Sequence, residues 1–561
     1  MSARGGFPGA GERASPPVPR PVPIPPRFGA LALSAVLAVA LVGCGEETPR
    51  PNVLLISIDT LRADHLFSYG HWNRTSPNLD ALAERGVLFE HCFAPTAWTL
   101  PSHLSLLTGL DINVHGIDDE RLWQVVGQPG GPAALPLRGT FASEVFQRAG
   151  YQTAGFVTWK YLEPRFGFGP GFDVYERVSD GAALGADAEA ELQNLVREGN
   201  RSVASLMLDR PDLFATQSAT SHLVVERAIT WLDSIATAKK DDPWFLFCHF
   251  FDPHDDYAAP EPFHRMFTRP EYTGAVNGRG VASASHTIEA MSPADIEQLK
   301  GYYDGEIAWT DDRIGALLKD IERRGVRENT LVVVTSDHGE EFYEHGLRQH
   351  RAQLYRESVH VPLIVAWPAG LPAGLRVPGL VGLVDIAPTL YDLVDLRSPP
   401  HLSGVSLAGP ARGAGPVGVQ SYLGILQSFP RREWTPHRLV SLRRGQHSAI
   451  WHLPRDAERR VEYFDREDNP REVGYGRELF PSDPLLADLD AEFDRMRVKL
   501  TADRDSLPLR DFDARAIDAR EIAEIAAMGY AGLDAAPAGD GVKAANTSRL
   551  VMDGGVWPDW P

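Results

Sequence analysis

Side chains that can ligate a metal stand at the ends of three apolar runs in this chain. Residues 53–58 (VLLISI) end at Asp59. Residues 330–335 (TLVVVT) lead to Asp337 and His338, and residues 244–250 (WFLFCHF) lead to Asp252, His254, Asp255 and Asp256. Buried parallel strands are continuous apolar runs of this kind, and open α/β sheets bind ligands beyond the carboxyl ends of their strands. Carboxylate and imidazole groups drawn to one edge from distant parts of a chain suit a hard or borderline cation. The chemistry expected is metal-dependent hydrolysis. Taken singly, Asp59 and Asp337 could equally cap the helices that follow their strands, as aspartate often does.

The elements that must position these groups read as an α/β fold. From residue 52 to about 400, strands alternate with helices, which predicts a largely parallel central sheet flanked by helices. Residues 78–86 (NLDALAERG) and 101–109 (PSHLSLLTG) read as helices closed by glycine. Helices are also expected within 183–228, a loop over 270–290 and a strand at 361–367. Past residue 400 the apolar runs thin out and arginine increases. A small C-terminal α+β subdomain is expected over 401–535, with strands at 438–450 and 459–465 and a helix at 518–530. Residues 536–561 read as a disordered tail.

With 55 Lys and Arg against 75 Asp and Glu, the formal charge is −20. That argues against nucleic acid as a partner, because phosphate binding needs a basic surface. The cysteines are Cys44, Cys92 and Cys248, too few and scattered for a disulfide framework. Cys92 and Cys248 sit in apolar contexts and read as packing residues. Arg4, Arg13, Arg20 and Arg27 precede an apolar run over 28–42, shorter than the roughly 20 residues of a membrane span, so it reads as a secretory signal. Its end, Leu41-Val42-Gly43-Cys44, resembles the lipobox of bacterial lipoproteins. That resemblance implies a signal peptide over 1–43, acylation of Cys44 and a short tether over 44–51. The mature protein would sit in the bacterial cell envelope, anchored by lipid on the periplasmic face of the membrane.

Several segments, in order, resemble the sulfatase family of the alkaline phosphatase superfamily. They are Pro51-Asn52-Val53 through Asp59, Thr99-Leu100-Pro101-Ser102-His103 with Leu107-Thr108-Gly109, and Gly150-Tyr151-Gln152-Thr153-Ala154. Gly171-Phe172-Asp173, Asp252-Pro253-His254 and Tyr303 to Gly315 follow. Ser336-Asp337-His338-Gly339-Glu340, Val361-Pro362-Leu363, Asp385 to Thr389 and the segment Glu462 to Glu472 complete the set. The match covers roughly residues 50–475. It implies an alkaline-phosphatase-like fold, a divalent ion held by Asp59, Asp337 and His338, and an anionic ester substrate, a glycan ester among the candidates. The mixed oxygen and nitrogen set favours Zn or Mn, with Ca retained as an alternative.

The sequence departs from the family pattern where the chemistry sits. The family's nucleophile is a Cys or Ser oxidised to formylglycine, followed after one residue by Pro-Ser-Arg. Here that position is Thr99 and the arginine position is His103. Oxidation of a threonine would give a ketone, so formylglycine is not expected. Thr60 stands where the family has a second aspartate, and Thr158 and Lys160 replace a lysine and a histidine. Threonine at this position resembles the superfamily's phosphodiesterases and phosphoethanolamine transferases, where it is a metal-activated nucleophile; coordination lowers a hydroxyl pKa. Thr99 would be the nucleophile and a fourth ligand, just before a helix whose N-terminus favours an anion. His103 would contact the ester or orient Thr99.

His254 matches the family histidine that contacts the ester. His350 or Arg351 would take the role of a family lysine near that point, and Lys160 could bind the substrate anion. A second cation would need His254, His350 and Asp252 or Asp256. Trp98 lines the pocket or belongs to the core. The reading is a hydrolase of sulfuric or phosphoric esters. Its rivals are a transferase moving a phospho-headgroup onto an envelope glycan, and an inert protein that holds anionic glycan. Specificity would lie in loops 116–135 and 180–220.

Overall fold

The apolar runs become the middle of an eight-stranded sheet. In the computed structural model the chain is described over residues 50–117, 137–178, 219–238, 242–279, 291–418, 420–428, 437–454 and 458–510. The signal peptide, most of the tether, the 518–530 helix and the tail lie outside the described residues. So do 183–218 of the helical stretch, 280–290 of the loop and most of the two specificity loops. Among the described residues, no helix is long and apolar enough to cross a membrane.

In chain order the strands are β1 (Asn52–Ile58), β2 (Val87–Phe93), β3 (Gln152–Val157), β4 (Val174–Arg177), β5 (Trp244–Phe250) and β6 (Thr330–Ser336). A short ribbon, β7 (Glu341–Phe342) with β8 (Arg348–Gln349), precedes β9 (His360–Ala366) and β10 (Leu375–Gly382). The central order is β10-β2-β9-β6-β1-β5-β3-β4. All run parallel except β9, which lies antiparallel between β2 and β6. The sheet is therefore largely parallel, as expected.

Side chains alternate across the pleat and feed two cores. Val53 and Leu55 face one, with Leu104 and Leu107 of the helix Thr99–Thr108 and Phe146 of the helix Ala142–Arg148. Leu54, Ile56 and Ile58 face the other, with Leu79 of the helix Pro77–Glu84, Leu232 of Ser221–Ala238 and Ile314 of Pro293–Arg323. Each fully buried Leu, Val or Ile contributes roughly 1.5–3 kcal/mol, so the central strands are held from both sides. Cys92 and Cys248 are free and buried.

The C-terminal part is a five-stranded antiparallel sheet: β11 (Ser421–Ser428), β12 (His437–Arg444), β13 (His447–Pro454), β14 (Arg460–Asp465) and β15 (Arg477–Leu479). Its apolar face packs Val440, Leu442 and Trp451 on Leu489 and Phe493 of the helix Pro484–Ser506. The single strand expected over 438–450 is a hairpin instead. It turns at Gly445, whose φ of +56° suits glycine.

Register sets the functional edge. Ser57 pairs with His249 and Ile58 with Ser336, so Asp59, Asp337 and residues 251–255 emerge together at the carboxyl ends of β1, β6 and β5.

Candidate active site

Beyond β1 the backbone turns at Thr60 with φ +55°, a strained conformation for a β-branched residue. Hydrogen bonds hold the strain. The Tyr303 hydroxyl donates to the Thr60 carbonyl (2.7 Å) and accepts from Arg62 N–H (3.0 Å). The amides of Thr60 and Leu61 donate to Asp337 Oδ1 (3.3 Å) and Ser336 Oγ (3.0 Å), which ties the end of β1 to the end of β6.

Asp59, Asp337 and His338 are fully buried and bring one donor atom each within 4.8 Å of one another. Asp59 Oδ1 and Asp337 Oδ2 are buried without a hydrogen-bond partner. Such oxygens are expensive to bury unless something positive satisfies them. Burial, then the neighbouring Asp59 charge, pushes the Asp337 carboxyl up to about 7. Asp59 is raised as well, chiefly by burial. His338 Nδ1–H faces the Gly339 carbonyl (3.0 Å), which leaves the Nε2 lone pair directed at the two carboxylates, 3.4 Å from Asp337 Oδ2 and 3.6 Å from Asp59 Oδ1. Burial pulls this imidazole down to about 3, so it is neutral, the form that ligates. Two orphaned carboxylate oxygens and one imidazole lone pair fit a divalent cation.

Thr99 opens the helix Thr99–Thr108, which begins two residues before the expected Pro101, with Trp98 as the extended residue before it. The Thr99 hydroxyl lies 3.5 Å from Asp59 Oδ2 and 3.4 Å from His338 Nε2. The first helical turn has free backbone N–H groups, favourable to an anion. One turn on, His103 Nδ1–H donates to the Thr99 carbonyl (2.8 Å), while Nε2 accepts from Ser57 Oγ (2.9 Å). Both ring nitrogens are engaged and the side chain is fully buried. Of the two expected roles, the geometry suits orienting Thr99, not touching an ester.

Sequence reasoning missed His249. Its Nε2 lies 3.3 Å from Asp59 Oδ2 and its Nδ1 3.2 Å from Thr158 Oγ1, so His249 of β5, held by Thr158 just beyond β3, braces Asp59. Burial pulls His249 to about 3. The available signal was a histidine inside an apolar strand, in register with Ser57.

His254 follows β5. Its Nδ1 is 2.8 Å from Asp255 Oδ1, and its ring stacks on Phe251 at 4.3 Å. Burial works against charge on this imidazole, but Asp255, helped by Asp59 and Glu340, overrides it and raises the pKa to about 10. The His350 ring sits 4.9 Å from that of His254 and 4.6 Å from that of His338, with Nδ1 3.2 Å from Glu340 Oε1. Burial first, then Asp255, pushes Glu340 up to about 8. Arg351 lies over the Trp98 ring at 4.8 Å. Trp98 is fully buried in the core cluster. Lys160 is buried, on the turn Lys160–Leu162 after β3.

Among the described residues, His254, His350 and Asp252 or Asp256 do not bring three donor atoms within 4.8 Å of one another, so the second cation set is not assembled. Asp252 instead accepts from Ala219 N–H and Ser221 N–H (2.9 Å each), starting the helix Ser221–Ala238. Among the described residues, the other group with three such donor atoms is His65, His71 and Asp304. There Asp304 Oδ1 takes His65 Nδ1 at 2.7 Å and Oδ2 takes His71 Nε2 at 2.9 Å, so the donors satisfy one another. His345, near in sequence, is tied to Glu357 (2.5 Å) and the Gly474 carbonyl (2.8 Å).

Set beside known proteins, residues 51–396 match the sulfatase family and residues 343–497 match the C-terminal family of N-sulphoglucosamine sulphohydrolase. The chain belongs to the sulfatase family. As a member, it is a hydrolase of sulfuric or phosphoric esters. It is 27% identical to an ulvan-active sulfatase of Formosa agariphila, over 67% of this chain and 70% of the relative. It is 26% identical to an N-acetylglucosamine-6-O-sulfatase of Bacteroides thetaiotaomicron, over 67% and 74%. In fold this sulfatase resembles the phosphonate monoester hydrolase of Agrobacterium radiobacter, with a TM-score of 0.58 and 23% identity over 81% of this chain and 96% of that one. A structure solved with its substrate D-glucosamine-2-N,6-O-disulfate matches with a TM-score of 0.60 and 19% identity, over 81% and 98%.

Proposed function

We propose that this sulfatase-family chain cleaves a sulfate or phosphate ester on a sugar with Thr99 as nucleophile. The observation that carries the reading is the Thr99 hydroxyl at a helix N-terminus, 3.5 Å from Asp59 Oδ2 and 3.4 Å from His338 Nε2. Asp59, Asp337 and His338, with Thr99 as fourth ligand, would hold a divalent ion. Bound there, it would supply positive charge against the nucleophile and the ester oxygens.

The steps assigned to the chain's own groups are these. Thr99 Oγ1 gives its proton to Asp59 Oδ2 and bonds to sulfur or phosphorus while the bond to the sugar oxygen breaks and that oxygen takes a proton from His254. Water then attacks the Thr99 ester, giving its proton to His254, and Thr99 Oγ1 leaves and recovers its proton from Asp59. His103 holds the Thr99 carbonyl, and the free amides of the first helical turn face the ester anion. His254, charged at neutral pH, donates to an ester oxygen, and His350, Arg351 and Lys160 are the further anion-binding candidates. The sugar part of the reading is supported by the glycan sulfatases among the relatives. We further propose export and lipid anchoring at Cys44 on the periplasmic face, supported by the basic and apolar N-terminus. Loss of detergent-phase partition in Cys44→Ser is the expected outcome there.

The deciding experiment is hydrolysis of matched aryl sulfate, phosphate monoester and phosphate diester by protein with added Zn, Mn or Ca, with Thr99→Ala alongside. We expect turnover of one ester class, lost by at least about 10³-fold in the variant. Unchanged turnover in Thr99→Ala refutes the nucleophile.

A further inference from the structure

Three guanidinium groups converge on one phenyl ring outside the site just described. The carbons of Arg443, Arg466 and Arg356 lie 4.7, 5.5 and 5.8 Å from the Phe93 ring centroid. Phe93 ends β2 and pairs with His360 of β9, which in turn flanks β6. At one strand spacing per step, the cluster lies roughly 10 Å along the same carboxyl edge from Asp337.

The cluster's charge is poorly balanced. Glu472, fully buried, is the carboxylate among the arginines; it sits 3.3 Å from Arg443 Nη2 and also accepts from the Arg356 backbone N–H and Ser448 Oγ. Asp64, also near, is taken by both arms of Arg62. Arg443 spends its Nη atoms on Ser441, the Leu354 carbonyl and Glu472, yet its buried Nε has no partner. Arg356 reaches His360 Nε2, and Arg466 reaches the Gly445 carbonyl; both side chains are half-buried. Among the described residues, Glu472 is thus the carboxylate that acts on all three of these cations, with Asp64 acting on Arg356 from further off, in a chain of net charge −20. Burial, with Arg356 and Arg443 adding to it, pulls Arg466 down to about 10. Like charges held together at a partly dry site leave a place that one more anion would stabilise.

We propose that Arg356, Arg443 and Arg466 around Phe93 form a second anion subsite, for a further sulfate or carboxylate on the sugar chain whose ester reaches Thr99. This rests on the reading of Thr99 given above for its catalytic half. Planar guanidinium forks suit oxyanions, and the C-terminal sheet supplies two of the three, so this sheet contributes to substrate choice. A polyanionic glycan would then be preferred over a sugar with a single ester.

Sucrose octasulfate, titrated calorimetrically into the full chain at 0.15 M salt, is the probe. We expect Arg356→Gln and Arg466→Gln each to weaken binding about tenfold, the loss of one charge-assisted contact. Arg323→Gln is the control. It removes the same charge from the helix end before β6, at the opposite edge of the sheet. Wild-type-like binding by both cluster variants with unchanged melting overturns the subsite, as does an equal loss in the control or failure of the wild type to bind. The titration needs no turnover, so failure of the Thr99 reading shows in the ester assay alone.

Discussion

His249 and His103 have no exposed surface, so whatever they contribute passes through a neighbour. His249 meets Asp59, and His103 meets the Thr99 carbonyl and Ser57. Supports of this kind typically change metal affinity by 10–100-fold. His249→Ala is therefore expected to weaken metal binding by about that factor, measured by chelator competition. If affinity holds while the protein merely melts earlier, His249 only packs. At this scale the sequence was partly readable. Asp59, Asp337 and His338 close apolar strands, and Thr99 sits in a motif, so type and position together drew notice. His249 was not readable, because a histidine inside an apolar strand also looks like core. Asp255 stands next to His254 in the chain and was among the residues singled out, but its pairing with His254 was not, and only the fold brings Glu340 to His350.

Among elements, continuous apolar runs disclosed β1, β5, β6 and β9 because strands covered on both faces leave few polar positions. Strand direction was not legible, since periodicity is the same read either way, and β9 is the strand that runs against its neighbours. The β12–β13 hairpin was read as one strand, since its turn is only Gly445-Gln446 and apolar residues stand on both sides of it. The segment after β6 depends on tight backbone contact. A Cβ on Gly339 would stand 2.0 Å from the Glu357 carbonyl oxygen, while the amides of Gly339 and Glu340 donate to Ser358 (2.8 Å) and Glu357 (3.0 Å). Gly339→Ala must therefore move His338 or the Arg356–Val359 turn. We expect a loss of about 1–3 kcal/mol in denaturant unfolding, with metal affinity falling too. Gly70→Ala is the comparison: its φ of +97° strains an alanine but no atom lies within 4 Å, so stability falls by about 1 kcal/mol and metal binding stays. Equal metal affinity in both variants would mean that this packing does not position His338.

For the whole molecule, the buried groups at the sheet edge set how stability follows pH when no metal is bound. His103, His249 and His338 are each held near 3, below their ordinary 6.5, by burial first. A lowered folded value contributes stability that is present above the unfolded pKa and is lost as pH falls. These three thus destabilise the fold progressively below about pH 6.5. Asp337 and Glu340 act in the other direction. Held up to about 7 and about 8, they keep protons that the unfolded chain has released, so their contribution is lost as pH rises from about 4 through those values. His254, raised to about 10, loses its contribution over the alkaline range as well. Chelator-treated protein should accordingly melt highest near pH 6.5 and lower on both sides. The alkaline limb is the more telling, because a cation beside Asp337 rewards the deprotonated carboxylate. Metal addition should flatten that limb and leave the acid limb steep, since ligation needs the carboxylates ionised and His338 neutral. Glu340→Gln should flatten the alkaline limb partly without metal. Melting curves from pH 5 to 9, with chelator and with Zn or Mn, test this. A chelated protein that grows more stable from pH 7 to 8.5 would show that the edge carboxylates are ionised without a counter-charge, and that the orphaned oxygens of Asp59 and Asp337 are satisfied some other way.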